Sequence, residues 1–593
     1  MSYPPHEPAG ELVLQGIGVS PGIAVGEAVV LLREGNAVPE CVINDVDVPL
    51  EITRFEEALI KTRHQIAGIQ RKAAAALGEK HASIFDAHLL VVDDRYFVEE
   101  VIRDLRAKHR NVESVLSDVA GRYIEMVAHV EDDYLRERAA DVRDVIRRIA
   151  KNLNGEPIDR MDQLDRPCIA VAHDFSPSDT AGMDRRIVHA LIADMGSATS
   201  HAAIMARALE VPAVVGLRDV SEQICSGETV LVDGSKGLVV IRPASGRLLA
   251  YAQKAEEQKM ILCGLETSKD KPPETKDGHH VPISANVELP AEIAGIRKCG
   301  AKGIGLFRTE FLFLGENGVP DEEEQTRVYS EAADQCAPDP VIIRTLDLGG
   351  DKFSSTLKTD PGNNPFLGLR ALRFCLANRP FFKVQLRAIL RAAAGRNISV
   401  MYPMVSCLCE VAEAAAVLSE CRSELLEAGL PCAEKLPVGV MIEIPSAALT
   451  ADLIAPHVDF FSIGTNDLIQ YTLAVDRANE QVAHLYKPTH ISVLKLIQQV
   501  VLAGHAARIP VSVCGQMAAT PELVPLLIGL GVDRLSISPP SVPMIKEVIR
   551  DLHYAECREL AECAMQHRTA EDILARCRDL LKKTSPEILE LIS

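Results

Sequence analysis

The feature that most constrains the fold is a regular alternation of short apolar runs and helical stretches after about residue 280. Eight such runs follow one another, and segments with helical spacing of apolar residues separate them. Apolar strands joined by helices are typical of parallel pairing, in which both faces of the sheet are buried. Eight βα units over about 300 residues predict a TIM barrel. The runs begin at Val281, Gly303, Val341, Ile398, Val438, Asp459, Pro510 and Arg534.

Charged residues stand where the predicted barrel strands end, which is where TIM barrels carry their chemistry. Several arginines suit a small anion, because a guanidinium fork binds phosphate or carboxylate oxygens in pairs. Two carboxylates without a Cys or His partner suit Mg²⁺, which completes its shell with substrate and water. The sequence therefore predicts a phosphorylated carboxylic acid bound through a metal. The candidates are Asn286, Arg308, Glu310, Arg344, Asp347, Lys352, Arg370, Glu443, Asn466, Asp467, Arg477, Cys514 and Gln516.

Each of these residues also has an ordinary structural explanation when it is taken alone. Arg308 fits a surface side chain, Asp467 a helix N-cap, and Cys514 a buried strand residue. Their convergence on one rim favours a functional site over separate structural roles.

The first half of the chain has a different organisation. Strand-like segments occur at residues 11–32 and from residue 167 onward, and long amphipathic helices lie between them. This order predicts an α/β domain interrupted by a helical insertion, and a polar helical linker then leads to the barrel. The predicted domains are 1–44 with 157–245 for the α/β domain, 45–156 for the insertion, 246–275 for the linker and 276–593 for the barrel.

One histidine in the α/β domain has unusual neighbours. His201 follows small and hydroxylated residues, Gly196 to Ser200, and precedes a run of good helix formers. Small residues allow close backbone approach, and Ser or Thr caps a helix. The first turn of a helix suits a phosphate, because its N–H groups are unpaired and it carries a partial positive charge. The pattern predicts either a histidine that binds or accepts a phosphoryl group, or a solvated residue at a helix start.

Charge and cysteine usage exclude several classes of protein. The chain has 63 Lys and Arg against 83 Asp and Glu, a net charge of −20, which disfavours binding to nucleic acid or anionic membranes. The 15 cysteines show no CxxC pair and no metal-ligand spacing. No apolar run approaches the ~18 residues of a membrane span, and the N-terminus has no apolar signal core. We therefore expect a cytoplasmic protein.

Long segments of the chain resemble one known family. GIGVSPGIAVGEA, SHAAIMARALEVPAVVG, GIGLFRTEFLFL, IIRTLDLGGDK and DFFSIGTNDLIQYTLAVDR are similar, in colinear order, to Enzyme I of the bacterial sugar phosphotransferase system. The resemblance implies a swivelling α/β phosphohistidine domain, an inserted helical subdomain that binds the carrier protein HPr, and a TIM barrel that forms a homodimer. It also implies phosphoryl transfer from phosphoenolpyruvate to a histidine and then to HPr, with Mg²⁺ as cofactor and pyruvate as product.

The resemblance assigns roles residue by residue. His201 is similar to the phosphorylated histidine, and Thr180 to the threonine that hydrogen-bonds it. Glu443 and Asp467 match the Mg²⁺ ligands, and Cys514 matches the residue that protonates the enolate carbon. The residues that match substrate-binding positions are Arg308, Arg344, Lys352, Arg370, Asn466, Asp467 and Arg477.

The chain departs from the family pattern near two of these residues. Ser197 and Ala198 stand where the family commonly has Gly and then Arg or Pro, and Gln516 stands where it commonly has Glu. Alternation along a strand places Cys514 and Gln516 on the same side, so we expect both to face the barrel mouth. A neutral Gln516 is then expected to leave the thiol with a lower pKa than a glutamate would.

The helical insertion contains one face that fits a partner. Ile84, His88 and Val91 are spaced three or four residues apart and share a side of their helix. Apolar surface beside acidic residues suits a carrier protein with a basic rim. This face is therefore predicted to be either a docking surface for HPr or an ordinary helix–helix core.

Three other functions are open from the residues. A dikinase or phosphoenolpyruvate synthase shares the histidine segment and the barrel, but it needs a nucleotide-binding region, and only ten residues precede the first strand. A Mg²⁺-dependent enolate lyase would use the barrel alone and leave His201 unexplained. A non-catalytic regulator that docks carrier proteins would tolerate loss of the arginines or carboxylates, and all of them are present.

Overall fold

The structure of the chain is a computed structural model, and it divides into two compact units that meet in sequence between Glu257 and Gln258. The structure describes residues 10–592 except 32–40, 78–83, 129–132, 156–165, 176–182, 185, 197–199, 210, 314–318, 349–366, 478, 480–481 and 568.

The first unit contains an eight-stranded mixed sheet with the strand order β1-β8-β7-β3-β4-β5-β6-β2. Its centre is parallel, from β3 through β4 and β5 to β6, and the flanking strands pair antiparallel. The strands are β1 Leu12–Gln15, β2 Ile17–Ser20, β3 Ile23–Leu31, β4 Cys168–Ala172, β5 Val188–Ala193, β6 Ala213–Val215, β7 Thr229–Asp233 and β8 Leu238–Ile241.

Apolar residues cover both faces of this sheet. Every residue of β4 is buried, as expected for a strand in the parallel centre of a covered sheet. The helix His201–Ala208 packs Ala202 and Ala206 into the core on one face. Val220, in the short helix Val220–Gln223, belongs to the core on the other face. The predicted α/β domain is confirmed.

The chain between β3 and β4 forms the predicted helical insertion. Its core is built from apolar residues at helical spacing, including Phe97, Val101 and Leu105, which are fully buried. Asp94 caps the helix that carries them by accepting a hydrogen bond from the Tyr96 N–H at 2.9 Å. The helices described in this region are Val48–Leu77, Ile84–Val92, Arg95–Lys108, Val112–Ala128 and Asp133–Asn154.

The face proposed for docking belongs to this core. His88 is 0% exposed, and its Nε2 lies 3.4 Å from a carboxylate oxygen of Asp144. Val91 packs against the same apolar cluster, and the side chain of Ile84 lies outside the described residues. The docking interpretation of this face is therefore wrong, because neighbouring helices cover the stripe. Periodicity alone does not distinguish a covered stripe from an open one.

The second unit is a closed barrel of eight parallel strands, and all eight predicted runs are confirmed as its strands. Alternate residues such as Leu306, Met401 and Met441 form a small cluster, while the other side of each strand packs against the helices. The strands are β9 Ile283–Val287, β10 Ile304–Phe307, β11 Val341–Arg344, β12 Ile398–Tyr402, β13 Val438–Ile442, β14 Phe460–Ile463, β15 Val511–Val513 and β16 Arg534–Ile537.

Helices surround the barrel and extend beyond its last strand. The long helix Ser245–Ser268 precedes the barrel in sequence. None of the described helices is both long and apolar enough to cross a membrane. The remaining helices of the second unit are Ile293–Cys299, Glu310–Phe313, Glu322–Cys336, Ala371–Ala377, Arg379–Ala392, Leu408–Glu427, Pro445–Leu449, Ala451–Ile454, Thr465–Leu473, Ile491–Ala507, Val524–Gly529, Val542–Asp551, Tyr554–Ala564, Ala570–Thr584 and Pro586–Ile592.

Candidate active site

Two buried arginines share one carboxylate at the carboxyl end of the barrel. Arg344, the last residue of β11, lies 3.0 Å from Asp347, and Arg370 lies 2.7 Å from the other oxygen of Asp347. Arg344 also donates a 2.6 Å hydrogen bond to Glu310, which accepts a second one from the Asp347 N–H. This arrangement fixes two guanidinium groups close together, as binding of a multiply charged anion requires.

Electrostatics keep this cluster charged in spite of its burial. Burial opposes the charge of Arg344, but Glu310, Asp347 and Glu443 outweigh it and raise the pKa of Arg344. Burial likewise disfavours the charged form of Asp347, but the neighbouring Arg344 and Arg370 hold its pKa below the usual range. Arg344 and Asp347 are therefore both charged at neutral pH.

Two guanidinium N–H groups at the rim form no hydrogen bond with the described residues. Arg308 follows β10 and pairs with Glu288, which follows β9. The buried Nε atoms of Arg308 and Arg344 have no hydrogen-bond partner among the residues that the structure describes. Since buried donors are normally satisfied in native proteins, these two groups point to a bound anion.

Glu443 is the most buried carboxylate of the rim. It follows β13, is 2% exposed, and accepts a 2.7 Å hydrogen bond from the Met404 N–H. Burial, together with Asp347 and Asp467, raises the pKa of Glu443 above its usual range. Gly464 allows this position, because a Cβ there would lie 2.7 Å from Glu443 Oε2. Glu443 and Asp467 offer only oxygen atoms, which are the ligands that a hard cation prefers.

The helix after β14 carries the next part of the rim. Asp467 is half-buried in the first turn of Thr465–Leu473, and Asn466 Oδ1 accepts a 2.9 Å hydrogen bond from the Gln516 N–H. Arg477 is exposed and hydrogen-bonds Tyr486, whose own hydroxyl lies 3.3 Å from the Asn466 carbonyl. Asn466, Asp467 and Arg477 therefore lie within one local group of contacts.

Cys514 lies just beyond the end of β15 and is 5% exposed. Burial raises the pKa of its thiol to about 11, against a hydrogen bond with Ser462 that lowers it. The Asn286 side chain donates a 3.0 Å hydrogen bond to the Cys514 carbonyl, and Ser536 donates to Asn286 at 2.6 Å. The backbone of Cys514 is therefore held in place, and its thiol is protonated at neutral pH.

The strand alternation expected for Cys514 and Gln516 is wrong, whereas the expected effect of Gln516 on the thiol pKa stays a prediction. The strand β15 ends at Val513, so strand alternation does not apply to these two residues. Gln516 begins the 3₁₀ turn Gln516–Ala519 and is exposed, whereas Cys514 is buried. Burial therefore dominates the pKa of the thiol.

In the first unit, His201 is the first residue of the helix His201–Ala208. Ser200 is its N-cap, and the Ser200 hydroxyl accepts a 3.4 Å hydrogen bond from the Ala203 N–H. Gly196, five residues before His201, has φ +116, a conformation that favours glycine. The predicted placement of His201 at a capped helix start is confirmed. Thr180, Ser197, Ala198 and Lys352 lie outside the described residues.

Sequence reasoning missed one rim residue. Burial raises the pKa of Tyr471 to about 12, and the charges that act on this hydroxyl come from Arg370, Asp467, Glu443 and Asp347. Its hydroxyl lies 3.9 Å from Met404 Sδ. Tyr471 stands four residues after Asp467 on the same helix, so i,i+4 spacing would have placed it on the same face.

Family models cover most of both units. The PEP-utilising enzyme N-terminal model matches residues 15–138, the PEP-utilising enzyme mobile-domain model matches 164–237, and the PEP-utilising enzyme PEP-binding-domain model matches 263–554. A protein named phosphoenolpyruvate-protein phosphotransferase from Listeria innocua is 39% identical over 574 residues, which are 97% of this chain and 99% of the relative.

The chain belongs to the phosphoenolpyruvate–protein phosphotransferase family.

Further members of this phosphotransferase family show the same extent of similarity. A relative of that name from Geobacillus stearothermophilus is 40% identical over 95% of this chain and 97% of its own length. A solution structure of Enzyme I is 37% identical and covers 41% of this chain and 98% of its own, with a TM-score of 0.37. Among the functions left open by the residues, the phosphotransferase interpretation is confirmed.

Proposed function

We propose that this chain transfers the phosphoryl group of phosphoenolpyruvate to its own His201 and from there to a histidine of the carrier protein HPr, releasing pyruvate. The observation that carries the proposal is the buried pair Arg344 and Arg370 on Asp347, with two N–H groups at the rim that have no partner among the described residues. Phosphoenolpyruvate has both a phosphate and a carboxylate, so a rim with several guanidinium groups suits it. Labelling of His201 from this substrate tests the proposal.

Substrate binding is assigned to the arginines of the rim. Arg308 and Arg344 offer donors to the anionic oxygens, and Arg370 keeps Asp347 neutralised beside them. Asn466, in the helix Thr465–Leu473, and Arg477, which follows this helix, are also assigned to substrate binding. Lys352 is assigned to the same substrate on the family resemblance. Fixed charges of this kind supply the positioning and the charge stabilisation that phosphoryl transfer needs.

We assign Mg²⁺ to Glu443 and Asp467. The donor set contains only oxygen, and burial beside Asp347 and Asp467 disfavours the charge of Glu443 until a cation balances it. When bound, the ion would neutralise charge on the phosphoryl oxygens and on the enolate that remains. Asp347 stays committed to Arg344 and Arg370, and the backbone N–H of Met404 orients Glu443.

His201 is assigned as the acceptor of the phosphoryl group. The bond between phosphorus and the bridging oxygen of the substrate breaks, and a bond between phosphorus and an imidazole nitrogen forms. The capped start of the helix His201–Ala208 places unpaired N–H groups and a partial positive charge next to the new anion. Thr180 is assigned to hydrogen-bond the imidazole on the family resemblance.

The reaction is assigned to the cytoplasm, which fits the free thiols of the described cysteines.

Cys514 is assigned as the proton donor to the methylene carbon of the enolate. We expect Cys514→Ala to slow steady-state pyruvate release by about 10²-fold, the usual contribution of a general acid, while a single turnover still phosphorylates His201. Because burial raises the pKa of this thiol to about 11, its alkylation should stay slow at pH 8 and accelerate toward that pH. Rapid alkylation at neutral pH would contradict the assignment.

Cys336 provides a matched control for this experiment. It is a buried cysteine at the end of the helix Glu322–Cys336, and burial raises its pKa to about 11 as well. Cys336→Ala should leave pyruvate release unchanged. An equal loss of turnover in both variants would indicate general damage to the barrel.

We assign a homodimer interface to the barrel on the family resemblance. We expect the full chain and a fragment of residues 271–593 to sediment as dimers at micromolar concentration, and a fragment of residues 1–262 to sediment as a monomer. The barrel fragment contains its own complete apolar core, so it should fold alone. Sedimentation velocity measures both masses, and a monomeric barrel fragment would overturn the assignment.

A further inference from the structure

A buried hydrogen-bond cluster lies directly behind the anion-binding rim. We define the Gln385 cluster as Thr309, Gln325, Tyr329 and Gln385, whose side chains are between 0% and 1% exposed. Gln385 comes from the helix Arg379–Ala392, and Gln325 and Tyr329 come from the helix Glu322–Cys336. A fully buried polar cluster costs desolvation unless all its members are paired, so its contacts indicate what it holds in place.

The cluster forms hydrogen bonds with the backbone of the segment that carries Arg344 and Asp347. Gln385 Oε1 accepts a 3.0 Å hydrogen bond from the Leu346 N–H. Gln385 Nε2 donates at 3.2 Å to the Thr309 hydroxyl, which in turn donates at 3.0 Å to the Arg344 carbonyl. The backbone is therefore held on both sides of Thr345, directly by the Gln385 amide at Leu346 and through the Thr309 hydroxyl at Arg344.

The orientation of this amide is fixed from both ends. Its oxygen must face the Leu346 N–H, since that group only donates. Its nitrogen then faces Tyr329, to which it donates at 3.3 Å, and Tyr329 donates at 3.1 Å to Gln325. The Gln325 side chain makes the last hydrogen bond of this series by donating at 3.0 Å to the Pro320 carbonyl. The donor and the acceptor of each bond in this series are thereby fixed, so the side chains of the cluster have a single hydrogen-bonding arrangement.

We propose that Gln385 is a positioning residue for phosphoryl transfer, because it sets the backbone between Arg344 and Asp347 and thereby holds Arg344 toward the substrate anion and Asp347 against the two arginines. The proposal rests on the proposed function. It assigns no contact between Gln385 and substrate. Arg344 and Asp347 are each fixed at the side-chain end by ion pairs, and Gln385 fixes the backbone end.

Replacement of Gln385 by leucine tests this role in the full-length chain. We expect Gln385→Leu to lower kcat/KM for phosphoenolpyruvate by about 10- to 100-fold, as small misplacements of substrate-binding groups do. Most of the change should appear as a higher KM, because the arginines bind the substrate before phosphoryl transfer. Phosphorylation of His201 in reverse, from phosphorylated HPr, should remain at the rate of the unmodified protein.

Phe382→Leu is the matched control, because Phe382 is fully buried on the same helix and packs beside Tyr402. It loosens the helix without removing a hydrogen bond and should leave KM unchanged. A rise in KM equal to that of Gln385→Leu would overturn the proposal. So would a folded Gln385→Leu protein with an unchanged kcat/KM.

Thr309 gives a second test that does not depend on the folding of Gln385→Leu. Thr309→Val keeps the shape but removes the hydroxyl, whereas Thr309→Ser keeps the hydroxyl and removes a buried methyl group. We expect Thr309→Val to raise KM about tenfold, and Thr309→Ser to keep KM near that of the unmodified protein although it loses packing. The reverse order would overturn the proposal. If the unmodified chain does not phosphorylate His201 at all, the proposed function fails instead.

Discussion

Substitution of His201 by alanine should reduce phosphoryl uptake from phosphoenolpyruvate to background. The two imidazole nitrogens are the only side-chain atoms of this residue that can accept the group, so alanine removes the assigned acceptor at the first position of the helix His201–Ala208. Alanine has the highest helix propensity, and Ser200 still caps the helix, so the fold should persist. Labelled substrate, Mg²⁺ and phosphopeptide mapping at alkaline pH give the readout.

His189 provides the control for this substitution. It lies in β5 of the same sheet and is exposed, so His189→Ala tests whether any histidine of the unit matters. We expect labelling of His189→Ala at the level of the unmodified chain. Labelling that persists in His201→Ala would move the nucleophile to another residue and would contradict the proposed function.

The second large effect concerns the carboxylates assigned to the metal. Glu443→Gln and Asp467→Asn should each lower turnover by about 10²- to 10³-fold, or roughly 3–4 kcal/mol in activation free energy, because each removes a charge at a site of phosphoryl transfer. Treatment with chelator should have a similar effect on the unmodified protein. Full turnover in chelator would contradict the metal assignment.

Glu443→Gln should lower turnover without lowering the melting temperature of the metal-free protein. Glutamine keeps an oxygen that accepts the hydrogen bond from the Met404 N–H. It removes a buried charge that burial, Asp347 and Asp467 all disfavour. Without metal, its melting temperature should therefore equal or exceed that of the unmodified chain, while turnover falls. Glu434→Gln, at an exposed position before β13, is the control and should change neither quantity.

The sequence by itself determined the framework of the site. Runs of buried strand residues recur between helices, and parallel strands in a barrel end on the same side. For that reason Arg344 after β11, Glu443 after β13 and Asp467 after β14 could be placed on one rim before any contact was known. Ser200 before His201 gave the capped helix start in the same way, since capping depends on neighbours in sequence.

Burial of individual side chains required the tertiary structure. His88 looked like part of a docking face, but helices distant in sequence cover it, including the one that carries Asp144. The spacing places Cys514 on a strand, whereas β15 ends one residue earlier, and burial is the largest cause that raises the pKa of its thiol, with Glu443 raising it further. Periodicity gives the side of an element on which a residue lies, and packing decides whether that side is covered.

The Gln385 cluster marks the limit of sequence reasoning most clearly. Gln385 lies 39 residues from Leu346 and 76 residues from Thr309 along the chain. The sequence around a single glutamine in an amphipathic helix does not indicate which distant residue will form a hydrogen bond with its side chain. Only the folded barrel brings the helix Arg379–Ala392 behind the end of β11. Local patterns therefore determined which residues form the rim, and long-range packing decided which residues hold it in position, because hydrogen bonds between distant segments exist only once the chain has folded.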